Sequence, residues 1–342
     1  MSRDSVRYGR VPKRPREVAN SNENMPDLHH GLNVPGMAGP SGEMQSEQVR
    51  SGVAKELLKM ILSAHQANNT YTDELRYNIQ RQIIVLNVEE EGQLDEAAGG
   101  MIVEEQAASS TTETIPEIKP MLWYNLSLRM TPTVQHVVEF AKRLPGFHNL
   151  PQDDQLILVK VGFFEVWLSR VSTLSTPDYL VLDDGSTLTL QHLETMYDAS
   201  FAQAVLSYVR TMINLSCSED EMAVYTGALL MWPHRPGISQ FTHITTMHRA
   251  ITDALKHAVV SRGVSDPAGR LEAFTAAAVE VRTLGHRHHE LLGWCRKNWS
   301  HLVLPALFAE IFDIPKGDDP PAFPAATEEP TPSTSGQTAP QP

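Results

Sequence analysis

Apolar residues recur three and four residues apart along most of the chain, which is the spacing of one face of an α-helix. This periodicity predicts helices at residues 48–66, 122–144, 152–174, 190–197, 199–214, 218–231, 239–261, 268–293 and 304–312. Two short apolar runs, at 179–182 and 187–190, flank Asp184-Gly185 and predict a β-hairpin. A run of helices with one hairpin predicts an all-α domain whose helices pack in layers.

The predicted helix at 152–174 is apolar on almost every side. Leu156-Ile-Leu-Val159 and Val161-Gly-Phe-Phe164 lie on either side of a single lysine. A helix on the protein surface keeps a polar face, so this pattern predicts a central helix that other helices cover. Pro151 and the carboxylate of Asp154 suit the start of this helix, where φ is already set and the helix dipole is positive.

Composition divides the 342 residues into four regions. Residues 1–17 contain six Lys or Arg and two acidic residues, a local net charge of +4, whereas the whole chain carries −13. Residues 18–46 are rich in Asn, Gly, Pro and Ser and predict a flexible hinge. The predicted domain covers 47–316 with a long acidic loop at 86–117, and 317–342 predicts a disordered Pro/Thr/Ser tail.

Several functional classes are excluded by what the chain contains. Its two cysteines, Cys217 and Cys295, cannot form a disulfide framework and suit a reducing compartment. No apolar run approaches the ~20 residues that span a bilayer, so we expect no membrane association. The phosphate loop, the Gly-x-Gly-x-x-Gly turn and the Gly-x-Ser-x-Gly elbow do not occur, and we expect no enzymatic activity.

The stretch from Phe140 to Lys160 resembles the signature of nuclear-receptor ligand-binding domains. It reads Phe140-Ala-Lys142, then Phe147, then Asp154-Gln-Leu-Ile-Leu-Val-Lys160. The segments at 182–185, 294–299 and 304–315 are similar to the ecdysone-induced 78C branch, which is related to the Rev-erb and peroxisome proliferator-activated receptors. The resemblance implies a three-layer antiparallel helical sandwich of about 10–12 helices with one small β-hairpin.

Residues 1–17 resemble the segment that follows the second zinc finger of such receptors. The fingers need two Cys-rich zinc sites, which two cysteines cannot supply. We therefore expect a fragment or an isoform without fingers, which acts in the nucleus and binds DNA only weakly. A basic cluster could serve nuclear import or neutralise DNA phosphates, and the two roles can coexist. This cluster consists of Arg10, Lys13, Arg14 and Arg16.

The resemblance further implies a groove for coactivator or corepressor helices, closed by an activation helix at 304–312. A helix is partly positive at its N-terminus and partly negative at its C-terminus, so Glu310 and Lys142 at opposite ends of the groove would clamp it. The predicted groove consists of Val138, Lys142, Gln155, Leu156, Val159, Lys160, Leu307, Phe308, Glu310 and Ile311. The pattern of 304–312 alone also fits an ordinary amphipathic helix.

The resemblance also implies an interior pocket for a lipophilic ligand. Its predicted lining is Leu126, Met130, Val134, Val137, Phe163, Phe164, Trp167, Leu182, Met212, His288, Leu291 and Leu292. The alternative is that these residues are ordinary core. Rev-erb receptors bind haem through a histidine near His288, but their cysteine ligand has no counterpart here. His286 and His288, two residues apart, point to different sides of a helix, so we expect neither haem nor a metal.

The turn Trp232-Pro-His-Arg235-Pro-Gly237 resembles that of receptors that pair with the retinoid X receptor or ultraspiracle. The predicted dimerisation residues are Glu165, Arg235, Arg282, Leu291, Trp294 and Trp299. The alternative is that these aromatic residues pack internally. The sequence thus predicts a transcription regulator that binds coregulator helices. A lipid- or haem-sensing receptor domain is the second hypothesis, and a helical scaffold without a switch is the third.

Overall fold

The computed structural model describes residues 40–84 and 115–315, and from residue 46 onward these belong to one compact unit. Their helices are α1 (Pro40–Gln66), α2 (Asp73–Asn78), α3 (Ile115–Lys142), α4 (Gln152–Val171), α5 (Leu190–Met196), α6 (Ala199–Leu215), α7 (Glu219–Leu230), α8 (Phe241–Ser261), α9 (Pro267–Leu291), α10 (Gly293–Lys297) and α11 (Ala306–Ile311). Two 3₁₀ turns cover Phe147–Asn149 and Trp299–His301. The predicted basic cluster with Arg10, Lys13, Arg14 and Arg16, most of the acidic loop and the tail lie outside the described residues.

Helix α4 is the central helix, as its apolar pattern predicts. It packs against α7 and α9 and also contacts α3 and α6, and every residue from Gly162 to Val171 is buried. Helix α8 packs on α7, and α6 packs on α9. The helices therefore form layers around α4, and the predicted all-α sandwich is confirmed.

Three hydroxyl groups inside this core pair with one another. The Ser169 and Tyr208 hydroxyl oxygens lie 2.7 Å apart, and the Tyr208 hydroxyl lies 3.2 Å from that of Tyr225. These contacts join α4, α6 and α7, and they satisfy hydroxyl groups that would otherwise be costly to bury.

Among the described helices, none is long and apolar enough to cross a bilayer.

The β-structure is larger than the predicted hairpin. Strands β2 (Tyr179–Val181) and β3 (Ser186–Thr189) pair antiparallel, as predicted. A third strand, β1 (Gln82–Ile83), pairs with β3 in parallel, so the described sheet has three strands in the order β1-β3-β2. The predicted hairpin is confirmed, and β1 was not predicted because a two-residue strand is too short to show an alternating pattern.

Gly185 is required at the turn between β2 and β3 for two reasons. Its φ angle is +87°, and an added Cβ would lie 2.1 Å from the carbonyl oxygen of Gln80. We expect Gly185→Ala to lower the free energy of unfolding by roughly 2–4 kcal/mol, since a left-handed residue with a Cβ alone costs about 1–2 kcal/mol. Urea denaturation followed by circular dichroism measures this loss.

Gly263 provides the matched control for this substitution. Its φ angle is +70°, but an added Cβ would meet no atom within 4 Å. Gly263→Ala should therefore show the cost of the left-handed conformation alone, about 1 kcal/mol. Equal losses for the two variants would show that the contact with Gln80 does not constrain residue 185.

Two helices begin earlier than predicted, and two short helices, α2 and α10, are additional. α1 begins at Pro40 inside the predicted hinge, and α3 begins at Ile115 inside the predicted acidic loop. Proline suits the first helical position, but the polar residues after Pro40 show no apolar period. The six residues of α2 are also too few for a periodic signal, although the Thr72 hydroxyl caps it by accepting a hydrogen bond from the Leu75 amide.

Candidate functional site

Helix α11 packs against α3 and α4 through its apolar face. Phe308 and Ile311 are buried, and so is Phe312, which directly follows the helix. The Phe312 ring meets the rings of Phe163 and Phe308 edge-on, with centroids 5.7 and 4.9 Å apart. Because edge-to-face pairs add to the gain from burial, this short helix is held mainly by aromatic packing.

Polar contacts fix the residues that follow α11. Lys160 on α4 forms an ion pair with Asp313, and Arg296 donates a hydrogen bond to the Phe312 carbonyl oxygen at 2.9 Å. Asp313 has a φ angle of +52°, and the next residue, Ile314, donates its amide to the Ala309 carbonyl at 2.8 Å. These contacts close the C-terminal end of α11 and tie it to α4 and to α10.

Arg296 and Asp313 were not among the predicted site residues. They lie 17 positions apart, and Lys160 and Asp313 lie 153 apart, so neither contact follows from a local pattern. The available signal was weak: Asp313 follows an apolar pair at a helix end, a position where a left-handed residue is common. Asp and Asn adopt that conformation more readily than most residues.

The structure places the predicted groove residues on elements that contact each other. Val159, Phe308 and Ile311 are buried, Val138, Gln155, Lys160 and Leu307 are partly buried, and Lys142, Leu156 and Glu310 are exposed. Leu156 is 48% exposed, which leaves an apolar side chain in contact with solvent. Lys142, the last residue of α3, forms an ion pair with Glu139 at 2.6 Å. Gln155 donates a hydrogen bond to the Leu150 carbonyl oxygen at 2.8 Å, so its amide holds the turn before α4.

The residues predicted to line an interior pocket are packed core side chains. All except Leu291, which is partly buried, are at most 4% exposed. Phe164, Tyr197, Phe201, His288 and Phe312 form an aromatic cluster between α4, α6, α9 and α11. Within it the Phe164 and His288 rings stack at 4.0 Å with an angle of 13°, and Tyr197 and Phe201 lie 4.8 Å apart. The predicted lining residues therefore lie together inside the domain, and the pocket itself stays a prediction.

His288 is buried within the aromatic cluster. Burial, with smaller effects of the nearby His289 and Arg296, lowers its pKa to about 3, so the imidazole is neutral at pH 7. Its Nε2 lies 3.1 Å from the Tyr197 hydroxyl, and its ring meets that of Phe312 at 5.1 Å. A haem iron bound through Nε2 would have to displace the Tyr197 hydroxyl. Across the described residues, no group of three or more His, Cys, Asp and Glu side chains could hold a metal ion.

Glu165 and Arg235, two of the predicted dimerisation residues, form a buried ion pair. Their side chains are 1% and 2% exposed, with two hydrogen bonds of 2.5 and 2.7 Å between guanidinium and carboxylate. Arg235 also donates to the Leu229 carbonyl oxygen at 3.0 Å. The pair joins α4 to the end of α7 inside the domain, so any influence of these two residues on dimerisation would act through the packing of the helices.

Two glycines allow the surrounding helices to close over this ion pair. An added Cβ at Gly285 of α9 would lie 3.2 Å from the Glu165 carboxylate, and one at Gly162 would lie 3.3 Å from the Arg235 guanidinium. Both distances are shorter than ordinary van der Waals contacts. The absence of side chains at these positions lets α9 and α4 pack tightly against the pair.

The side chains of the remaining predicted dimerisation residues are only partly accessible to a partner. Trp294, Trp299 and Leu291 are partly buried and pack against the core. The Lys119 ammonium lies 4.6 Å from the Trp294 ring centre, and the Arg282 guanidinium lies 3.9 Å from that of Trp232. Each ring therefore already makes a cation–π contact within the domain. The predicted aromatic patch is therefore partly covered by the domain itself.

Comparison with known proteins identifies relatives of this chain. Residues 111–297 match the family model for the ligand-binding domain of nuclear hormone receptors. Ecdysone-induced protein 78C of Drosophila melanogaster is 37% identical over 86% of this chain and 32% of its own length. Probable nuclear hormone receptor HR3 of Manduca sexta is 28% identical over 56% of this chain and 36% of its own length. Nuclear receptor ROR-beta of Homo sapiens is 27% identical over 59% of this chain and 45% of its own length. The chain thus spans less than half the length of each of these curated relatives.

Proposed function

Because this chain belongs to the nuclear hormone receptor family through its ligand-binding domain, we propose that it regulates transcription in the nucleus by binding coregulator helices beside α11. The family match also confirms the prediction that the chain is not an enzyme. The observation that carries the proposal is the docking of α11 on α3 and on α4, the helix that carries the exposed apolar side chain of Leu156.

The chemistry of this surface suits a short amphipathic helix. Leu156 offers an apolar contact, and the partly buried Val138 and Leu307 extend it. Lys142 and Glu310 supply opposite charges on the two elements that contact each other, α3 and α11. A bound helix would place its partly negative C-terminus toward Lys142 and its partly positive N-terminus toward Glu310.

Side chains, rather than a bound ligand, hold α11 in the docked position in this proposal. The support is the aromatic cluster around His288 together with the contacts of Lys160 and Arg296. A ligand or a partner would then regulate the protein by binding the docked and undocked states with different affinities. A retinoid X receptor or ultraspiracle-type partner would use the part of α9 and α10 that includes Arg282 and Trp294, and DNA contacts would come from the basic residues near the N-terminus.

The clamp is tested by charge reversal at Glu310. We expect Glu310→Lys to weaken binding of a fluorescent Leu-x-x-Leu-Leu peptide by at least tenfold, or ~1.4 kcal/mol, because the peptide N-terminus would face a positive charge. Fluorescence polarisation with purified protein measures the affinity. Urea denaturation of the same variant shows whether the domain remains folded.

Glu272→Lys is the matched control, since Glu272 is an exposed carboxylate on α9. It changes the net charge by the same amount and should leave peptide affinity within a factor of two. If Glu310→Lys also binds the peptide with unchanged affinity, α11 is an ordinary C-terminal helix and the clamp does not exist.

A further inference from the structure

A cavity of about 170 Å³ lies between α7, α8 and α9. Its wall includes the side chains of Tyr225, Leu229, Trp232, Leu255, Leu271 and Phe274. None of its described lining residues lies on α3, α4 or α11, and none belongs to the predicted groove or to the predicted interior pocket. Arg282 is the one lining residue that also belongs to the predicted dimerisation set. The cavity is therefore separate from the surface on which the proposed function rests.

Arg282 brings an unpaired positive charge to this cavity. Its side chain is half-buried and its guanidinium lies 3.9 Å from the ring centre of Trp232, but it makes no hydrogen bond or ion pair with any described residue. The nearby Glu165 carboxylate is already bound by two hydrogen bonds from Arg235. A guanidinium has five N–H donors, and contact with the face of a ring satisfies none of them. Arg282 can therefore donate to an acceptor inside the cavity.

The remaining charges around the cavity do not neutralise Arg282. None of the described residues that line it is an Asp or a Glu. Lys256, at the exposed mouth, already forms an ion pair with Asp253 on the surface of α8 at 2.9 Å. Burial, with smaller effects of Arg282 and His234, lowers the pKa of His248 to about 4, so this imidazole is neutral at pH 7. The lining thus favours an occupant with one negative charge.

The lining and the volume of the cavity favour a carboxylate attached to one aromatic ring. A carboxylate matches the guanidinium fork, since two parallel N–H···O hydrogen bonds can form between them. The Tyr225 and Phe274 rings lie 5.3 Å apart at 48°, and the Trp232 and His248 rings meet edge-on at 5.2 Å. An aromatic occupant gains from offset and edge-on contacts with such rings beyond the burial of its area. The volume is well below the ~300–1,000 Å³ typical of sites for drug-sized ligands, which leaves room for a single ring.

We propose that this cavity binds a small aromatic monocarboxylate. The carboxylate accepts hydrogen bonds from Arg282, and the ring packs against Tyr225 and Phe274. The Lys256 ammonium at the mouth adds a second positive charge that attracts the anion. Binding at this site is independent of the proposed coregulator binding, and its test uses neither a coregulator peptide nor a dimer partner.

The probe for this site is para-fluorobenzoate, titrated with the full chain and followed by the fluorine NMR signal of the ligand. We expect saturable binding that Arg282→Met weakens at least tenfold, or ~1.4 kcal/mol, because the carboxylate loses its partner while the methionine side chain keeps a contact with Trp232. Arg249→Met is the matched control, since it removes an exposed arginine of α8 that does not line the cavity. It should bind within a factor of two of the wild type. An equal loss of affinity in both variants, or a loss in neither, overturns the proposal.

Two further measurements locate the bound molecule and separate the effect of charge from that of apolar burial. Para-fluorobenzamide has the same ring without the charge, so it should bind at least tenfold more weakly than para-fluorobenzoate. Ala278→Phe, at a partly buried position in the wall, should fill the cavity and abolish binding of the benzoate. Circular dichroism shows whether each variant folds, and if Ala278→Phe does not, the comparison of Arg282→Met with Arg249→Met decides. Absence of saturable binding, equal binding of the two ligands, or full binding by a folded Ala278→Phe variant overturns the proposal.

Discussion

Arg235→Met is expected to lower the free energy of unfolding by about 3–5 kcal/mol, because it leaves the Glu165 carboxylate buried without a counter-charge. Both side chains are at most 2% exposed, so water cannot replace the lost guanidinium. The Leu229 carbonyl oxygen loses a hydrogen-bond donor as well. Urea denaturation followed by circular dichroism measures the loss, and near-ultraviolet spectra show whether the core remains packed.

The double variant Glu165→Met/Arg235→Met separates the charge effect from packing. Removing both charges leaves an apolar pair of similar volume, which is often nearly neutral for stability, so we expect it to recover at least 2 kcal/mol relative to Arg235→Met. Lys256→Met breaks the exposed pair with Asp253 and should change stability by less than about 0.5 kcal/mol. A double variant as unstable as Arg235→Met would mean that packing, and not the unpaired carboxylate, explains the effect.

Phe312→Ala is expected to weaken coregulator-peptide binding about a hundredfold. The ring contacts Phe163, Phe308 and His288, and truncating a buried phenylalanine to alanine costs about 3–5 kcal/mol. That loss falls on a helix of six residues, so it should undock α11 rather than unfold the domain. Fluorescence polarisation measures the affinity, and hydrogen exchange of the amides at 306–314 measures the undocking directly.

Phe241→Ala is the matched control for this prediction. Phe241 is 45% exposed at the start of α8, so its truncation should leave both peptide affinity and exchange at 306–314 unchanged. Peptide affinity within threefold of the wild type in Phe312→Ala, together with unchanged exchange, would show that Phe312 does not hold α11.

The fold was predictable wherever apolar periodicity is long. The all-round apolar pattern of α4 indicated burial, and the turn at Asp184-Gly185 indicated the hairpin, because both signals are local. α2 and β1 were not predicted because six and two residues carry too little pattern. The first residues of α1 are polar, so the sequence shows no apolar periodicity there from which a helix could be predicted.

The candidate site was predictable only in part, since most of its contacts are long-range. The apolar pairs of α11 indicated its buried face, but the pairing of Lys160 with Asp313 depends on the packing of α11 on α4. Arg235 illustrates the opposite error. A charged residue in a Pro-Gly turn normally faces solvent, and only the buried carboxylate of Glu165, 70 positions away, explains its location.

The close approach of α9 to the Glu165 carboxylate limits how this domain can diverge in sequence. A methyl group at Gly285 would push against a carboxylate that two hydrogen bonds to Arg235 already hold in place. A larger residue at 285 must therefore displace this carboxylate by a few tenths of an ångström, and a smaller residue at 165 that relieved the contact would leave Arg235 without its counter-charge. Substitutions at 165, 235 and 285 are thus expected to occur together in related sequences. A substitution at one of the three positions should be tolerated mainly when the other two have also changed.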